Sequence, residues 1–557
     1  MIIKDLKSWF KSGAPYIWLN AGAVSVSVLM VVGLLALIAF LGLGHFWPSK
    51  VAEFQFTEVD GTVVNIIGEI VDRESVLRSR MPEEDFRIPA DIEIIDRNLI
   101  KTGNRDFLGL DFRWVLALAM SDIHYPESIM VVERMEWGNL YGYLASIKRN
   151  GEIIAIDNGE LWDEFKTLTS QSQAIHNKIE FIEKDLIGDI NFRMERLRLR
   201  QRVLLGQEND AEVQLALIEN EQRQLDDEYE SFSSELEDLY EELNKFSFVT
   251  RIADGNEVEI PLAQVFRAYR PNAMGILDNI AFYFAKLWEF ATDDPREANT
   301  EGGIFPAIFG TVIMVLIMAM LVTPFGVITA VYLHEYAKQG PLVRTIRIAV
   351  NNLAGVPSIV YGVFGLGFFV YFVGGNIDEL FFSASLPSPT FGTPGLLWAS
   401  LTLAILTVPV VIVSTEEGLS RVPRAIREGS LALGATKAET LIRTVLPMTA
   451  PAMMTGLILA IARAAGEVAP LMLVGVVKLA PSLPLDGNFP YVHFERKFMH
   501  LGFHIYDVGF QSPNVEAARP LVYATALLLV LIIIVLNLAA IHIRNKLREK
   551  YRATEQH

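Results

Sequence analysis

The sequence predicts a mostly α-helical, polytopic membrane protein: six transmembrane helices interrupted by an α+β extracytoplasmic insert that contains a coiled-coil hairpin. Three observations lead there. Apolar residues make up 51% of 557, more than an ordinary soluble chain of this length carries. Six apolar runs, near 17-46, 304-332, 348-373, 396-415, 449-476 and 521-542, are long enough to cross about 30 Å of hydrocarbon. Residues 51-300, between the first run and the other five, hold 50 acidic and 26 basic side chains. One apolar run can be a buried helix of a soluble core; six are poorly explained that way.

The first run exceeds the apolar core of a signal peptide and no small-residue cleavage pattern follows it before Trp47-Pro48, so it reads as an uncleaved anchor. Lys4, Lys7 and Lys11 precede it. Lys338, Arg344 and Arg347 separate the second and third runs, Arg421, Arg424, Arg427, Lys437 and Arg443 the fourth and fifth, and Arg544, Lys546, Arg548, Lys550 and Arg552 follow the sixth. Positive loops face the cytoplasm, which puts both termini there. Lys478, Arg496, Lys497 and Arg519 on the opposite side run against the rule. The division is then 1-47 for the N-terminus and first helix, 48-303 for the insert, 304-545 for a core of five helices with a cytoplasmic loop at 416-447, and 546-557 for a cytoplasmic tail. With no cysteine, disulfides and thiolate metal sites are excluded, and no metal-ligand cluster stands out.

In the insert, Asp60-Gly61, Asn150-Gly151 and Asp254-Gly255 sit between β-prone runs and predict hairpin turns, because these dipeptides accept positive φ. Leu161, Phe165, Leu168, Ile175, Ile179, Ile182 and Leu186 recur at spacings of three and four, as do Leu225, Tyr229, Phe232, Leu236, Leu239, Leu243 and Phe246. Such heptads make a helix–helix seam. The break at Gly206–Asp210 makes this an antiparallel hairpin over about 160-246, each arm roughly 60 Å long, standing on a β-rich base. A stalk of this kind serves as a binding arm, a spacer or a contact for another subunit, and the sequence does not choose.

The 416-447 loop carries the sharpest motif. Residues 428-447 read EGSLALGATKAETLIRTVLP: a helix from about Arg424, a turn at Gly434, where the absent Cβ permits it, and a second helix from Lys437 halted by Pro447. Leu431, Leu433 and Leu441 give this helix-turn-helix an apolar side that can sit in a partner's groove. Glu428, Gly434, Leu446 and Pro447 resemble the anchors of the coupling loop of ABC importer permeases; Gly429, Ser430 and Thr444 depart from the usual alanines and isoleucine. GGIFPAIFGTV at 302-312, NLAGVPSIVYGVFGLGFF at 352-369, TVPVVIVSTEEGLSRVP at 407-423 and ARAAGEVAPLML at 462-473 are similar to one branch, the phosphate-specific importers, and to their second permease subunit. The resemblance covers most of 302-550 and the first helix, and no motif carries it into the insert.

That resemblance implies an inner-membrane transport subunit rather than an enzyme, working with a homologous PstC-like permease, two PstB-like ATPase subunits and a PstS-like phosphate-binding protein, and with no nucleic acid. No GxxxxGK[ST] loop occurs, so the chain holds no cofactor of its own by that device and ATP is bound by the partner. Arg463 and Glu467, four residues apart inside the fifth run, predict a substrate pathway, since ionisable residues inside a membrane are costly and functional by default. Arg463 offers bidentate hydrogen bonds to an oxyanion and Glu467 holds it or competes for it; a neutralised packing pair is the plainer alternative. Asn351, Asn352 and Ser358 around Gly355-Val356-Pro357 expose backbone to the same pathway or merely kink the third helix. A permease for molybdate or sulfate, and a membrane-anchored coiled-coil sensor or tether, are the other readings.

Overall fold

A computed structural model describes residues 12–80, 92–156, 160–205, 211–296, 299–512 and 515–555; Lys4, Lys7, Lys11 and the Gly206–Asp210 break lie outside them. The first element, α1 (Ala14–Gly44), is a single exposed apolar helix.

The insert's base follows. β1 (Val51–Thr57), β2 (Val63–Leu77), β3 (Ile94–Lys101), β4 (Phe112–Leu116) and β5 (Met120–His124) form an antiparallel sheet in the order β4-β3-β2-β1-β5. β6 (Met130–Arg134), β7 (Leu140–Arg149) and β8 (Glu152–Ile156) join a second sheet, completed by β9 (Phe246–Arg251), β10 (Glu257–Pro261) and β11 (Val265–Tyr269) in the order β10-β9-β7-β6-β11 with β8 paired to β7. All three predicted turns close hairpins, β1–β2, β7–β8 and β9–β10, with Gly61, Gly151 and Gly255 at positive φ.

Between β8 and β9 run α2 (Leu161–Phe181), a π turn (Ile182–Leu186), α3 (Ile187–Leu205) and α4 (Ala211–Leu243). Ile179 and Ile182 pack with Leu239 and Leu243, and Ile190 and Leu197 with Ile218 and Leu225, so the arms run antiparallel. The seam is shifted away from the sheet relative to the heptads, reaching Leu197 and Ile218 but not Leu161 or Phe165 nearest the base. Leu161 and Phe165 pack into the sheet core with Phe248, Phe246 opens β9, and Tyr229 is exposed. Nor does the hairpin stand clear of the permease core. Arg202 donates to the carbonyls of Ala384 (2.7 Å) and Leu386 (3.1 Å), and Phe192 meets the His493 ring edge-on at 5.6 Å.

α5 (Ile276–Thr292) and the small β12–β13 pair (Pro295–Arg296, Glu301–Gly302) lead into the core. α6 (Phe305–Val331) ends in a π turn (Tyr332–Tyr336). The third span differs from the predicted 348-373. α7 (Pro341–Leu353) is a separate amphipathic helix, and the crossing runs through α8 (Ser358–Phe364), a π stretch (Gly365–Gly374) and α9 (Gly375–Phe381). Pro357 explains the displacement, since it drives the residue before it out of helical conformation. α10 (Leu396–Arg421) is the most buried span. α11 (Arg424–Ala432), α12 (Lys437–Thr440), a π turn (Leu441–Val445) and α13 (Leu446–Gly466) then carry the chain back. The fifth crossing is therefore Lys437–Gly466 rather than 449-476.

After α14 (Leu471–Val474), an irregular segment and α15 (Leu501–Tyr506) precede α16 (Val515–Glu555), which contains the sixth crossing. Two of the four anomalous basic residues in this region are neutralised locally: Lys478 pairs with Asp507 at 3.1 Å and Arg496 with Asp486 at 2.6 Å. The core is centred on α6, α10 and α13, around Met314, Leu403 and Ala464.

Candidate functional site

α11 and α12 meet at Gly434, whose φ is +90° and around which a Cβ would meet open space. Backbone conformation, not crowding, requires glycine here. The next helix starts on a capping box: Thr436 Oγ1 accepts from the Glu439 N–H at 3.3 Å while the Thr436 N–H donates to the Glu439 carboxylate at 2.9 Å, satisfying two otherwise orphaned donors.

Pro447 does not halt this helix. The π turn at Leu441–Val445 precedes Leu446 and Pro447, which occupy the first positions of α13, where a missing N–H and fixed φ are tolerated. One helical element thus runs from Lys437 to Gly466. Glu428 is exposed, as is Leu431, and Leu433 is 91% exposed. Leu441 is buried with Leu419, Val422 and Val445, so it is withdrawn from the outer face, where Ile442 is exposed instead.

What fastens the segment to the core went unread in the sequence beyond its charge. Arg427, four-fifths buried, donates to the carbonyls of Leu419 (2.6 Å) and Val422 (3.2 Å) and pairs with Glu335 at 3.0 Å. Glu335 lies in the π turn ending α6, and its carbonyl accepts from the Lys437 ammonium. Next to it, Arg347 of α7 pairs with Glu416 of α10 at 3.3 Å and donates to the Leu333 carbonyl at 3.3 Å. Charged residues placed just past apolar runs were the available signal.

At the far end of the same helix, Arg463 Nε lies 3.5 Å from Glu467 Oε1. Glu467 is already extended, one residue past the helix end, so the pair bridges the terminus rather than sharing a helical face. The Tyr361 hydroxyl donates to the Leu353 carbonyl at 2.7 Å, bridging the break between α7 and α8. Asn352 and Ser358 flank that break; Asn352 is exposed and Ser358 partly so. Here the backbones close up: a Cβ on Gly362 would lie 2.7 Å from Pro470 Cα. Of the four predicted pathway residues, Arg463 and Glu467 are in direct contact, and no described bond joins Asn352 or Ser358 to either of them. No cluster of metal-ligating side chains occurs among the described residues.

A family described as "Binding-protein-dependent transport system inner membrane component" matches residues 322–549, the segment that holds both the Gly434 turn and the Arg463 pair. The chain is thus a multi-pass permease component of that transport class. More narrowly, it belongs to the family of phosphate transport system permease proteins PstA: it is 34% identical over 244 residues to PstA 1 of Mycobacterium tuberculosis, covering 44% of this chain and 70% of that one. With PstA of Yersinia pestis it shares 31% over 255 residues, covering 46% and 76%. It also matches PstA of Mycobacterium leprae at 36% over 211 residues, where it spans only 64% of the relative's length. Among solved structures, a MetNI methionine ABC transporter chain aligns with a TM-score of 0.32 at 18% identity, covering 43% of this chain and 94% of that one.

Proposed function

We propose that this chain is one of two permease subunits of an ATP-driven importer of inorganic phosphate in the bacterial inner membrane. The observation that carries the reading is the single helix from Lys437 to Gly466, with an exposed turn at one end and the Arg463–Glu467 pair at the other. A separate PstB-like ATPase, which binds the ATP, docks on the surface formed by Glu428, Leu431, Leu433 and Ile442. Its closure pushes α11 and α12, and the push travels along one rigid element to the breakpoint between α7 and α8. A PstC-like permease completes the pathway and a PstS-like binding protein delivers the anion from outside. Both termini are cytoplasmic and the insert is extracytoplasmic, in keeping with the positive charge around the Gly434 turn and beyond the sixth crossing.

Along that path Arg463 presents a planar, permanently charged donor set suited to a tetrahedral oxyanion, and Glu467 offers a competing carboxylate that limits how tightly the anion is held. Radiolabelled phosphate uptake into vesicles holding the reconstituted complex tests this. ATP-dependent accumulation, reduced by unlabelled phosphate but not by molybdate or sulfate, supports it; accumulation displaced equally by molybdate or sulfate overturns the phosphate assignment. Arg463→Gln is expected to abolish most uptake at normal subunit levels, and full activity in that variant removes the residue from the pathway.

A further inference from the structure

Helix α5 is amphipathic in the inverse sense to a helix on a water-soluble domain. Lys286 and Glu289 point inward. Lys286 Nζ lies 2.6 Å from Glu133 of β6, and Glu289, 5% exposed, lies 2.9 Å from Arg267 of β11 and 2.8 Å from Arg296. Ile276, Leu277, Ile280, Phe284 and Trp288 face outward instead, exposed between 40% for Ile280 and 82% for Leu277. Ile276, Ile280, Phe284 and Trp288 are four apart and Leu277 is three before Ile280, which keeps them on one stripe. Among the described residues, the one exposed polar side chain of α5 ahead of Thr292 is Asp278, which accepts from the Gly275 N–H at 3.0 Å and closes the helix start. An apolar surface of this size on a soluble face marks a contact with something apolar.

Its position says what that is. Phe290 packs on Phe46 (5.0 Å between ring centroids) and Tyr283 on Trp47 (6.0 Å), so α5 lies against the end of the first crossing, whose own surface is mostly exposed and mostly apolar. Twelve residues separate the end of α5 from Phe305, which opens the second crossing. The outward stripe therefore lies beside the end of one apolar crossing and shortly before the start of another.

We propose that α5 lies in the outer interface of the bilayer with Leu277, Phe284 and Trp288 among the acyl chains, and that it seats the insert's base on the membrane through the Lys286–Glu133 and Glu289–Arg267–Arg296 pairs. Such helices bury one apolar face to a shallow depth in the headgroup region. The occupant of the stripe is lipid, not a second polypeptide.

The chain has no cysteine, so single cysteines carrying a nitroxide report each position without background. The full chain, in the reconstituted complex in phosphatidylethanolamine–phosphatidylglycerol vesicles, is labelled in turn at Leu277→Cys, Phe284→Cys and Trp288→Cys. Leu29→Cys in α1 serves as the lipid reference and Tyr229→Cys on the stalk as the water reference. Collision with oxygen several-fold above collision with a water-soluble nickel chelate at 284 and 288, as at 29, is the expected result. Nickel access equal to that at 229 places the stripe in water and overturns the proposal. Immobilised labels shielded from both reagents overturn it too, and identify a protein cover. Uptake measured in the same vesicles reports separately on transport.

Discussion

The two ends of the molecule hold charge with different numbers of partners. At the Gly434 end, Glu428 is exposed, Leu433 projects into open space, and Arg427, Glu335 and Lys437 fasten the segment by a handful of contacts. At the base of the insert, Glu133 and Glu289 are buried and held by Lys286, Arg267 and Arg296 together. A lightly tethered handle can be moved by a partner; a buried network cannot be loosened without leaving charge unpaired. The contrast assigns motion to one end and anchorage to the other.

The largest effect is expected where anchorage is broken. Glu289→Ala leaves two guanidinium groups and an ammonium without their shared carboxylate, a loss of roughly 3–5 kcal/mol for a buried pair, read as a lower melting temperature of the purified chain in detergent. A change within the error of the wild-type melt erases the contrast. Arg427→Ala is expected to cost less, about 1.5–3 kcal/mol for charged hydrogen bonds, with faster proteolysis confined to 422-440 and the insert untouched. Protection there equal to the wild type shows the tether to lie elsewhere.

A third test sharpens the comparison by pH. Burial lowers His500 to about 3 and His504 to about 4 from the ordinary 6.5, the nearby Asp507 partly offsetting the effect at His504. Between those values the unfolded chain takes up protons that the folded chain refuses. Stability is therefore full above pH 6.5 and falls as pH drops toward 4, by up to about 1.4 kcal/mol per unit for each histidine. His500→Gln with His504→Gln is expected to flatten that slope in melts from pH 7 to 4.5; an unchanged slope assigns it to other groups.

Much of this was legible in the sequence wherever the signal is local. Asn150-Gly151 specifies its turn within two residues, and six crossings follow from summed hydropathy. Boundaries were less so. Apolar composition does not register that Pro357 separates α7 from α8, or that a π turn lets the helix continue through Pro447, so the third and fifth crossings were displaced. The heptad count overran because Leu161 and Phe165 satisfy a helical repeat while packing on a sheet. Of the site, Gly434 and the Arg463–Glu467 pair could be read from spacing. The bond from Lys437 to Glu335 joins residues 102 apart, and Arg202 reaches carbonyls 182 and 184 residues away; no periodicity encodes such meetings.

The central claim, that the Gly434 turn transmits a partner's motion along Lys437–Gly466, is tested most directly by Gly434→Val. With open space around the position, the substitution costs only left-handed backbone strain, about 1–2 kcal/mol, and leaves the chain in the membrane. ATP hydrolysis and phosphate uptake are measured together in vesicles holding the complex. Hydrolysis retained with uptake reduced about tenfold, a coupling loss near 1.4 kcal/mol, is the predicted result; uptake per ATP equal to the wild type contradicts the account.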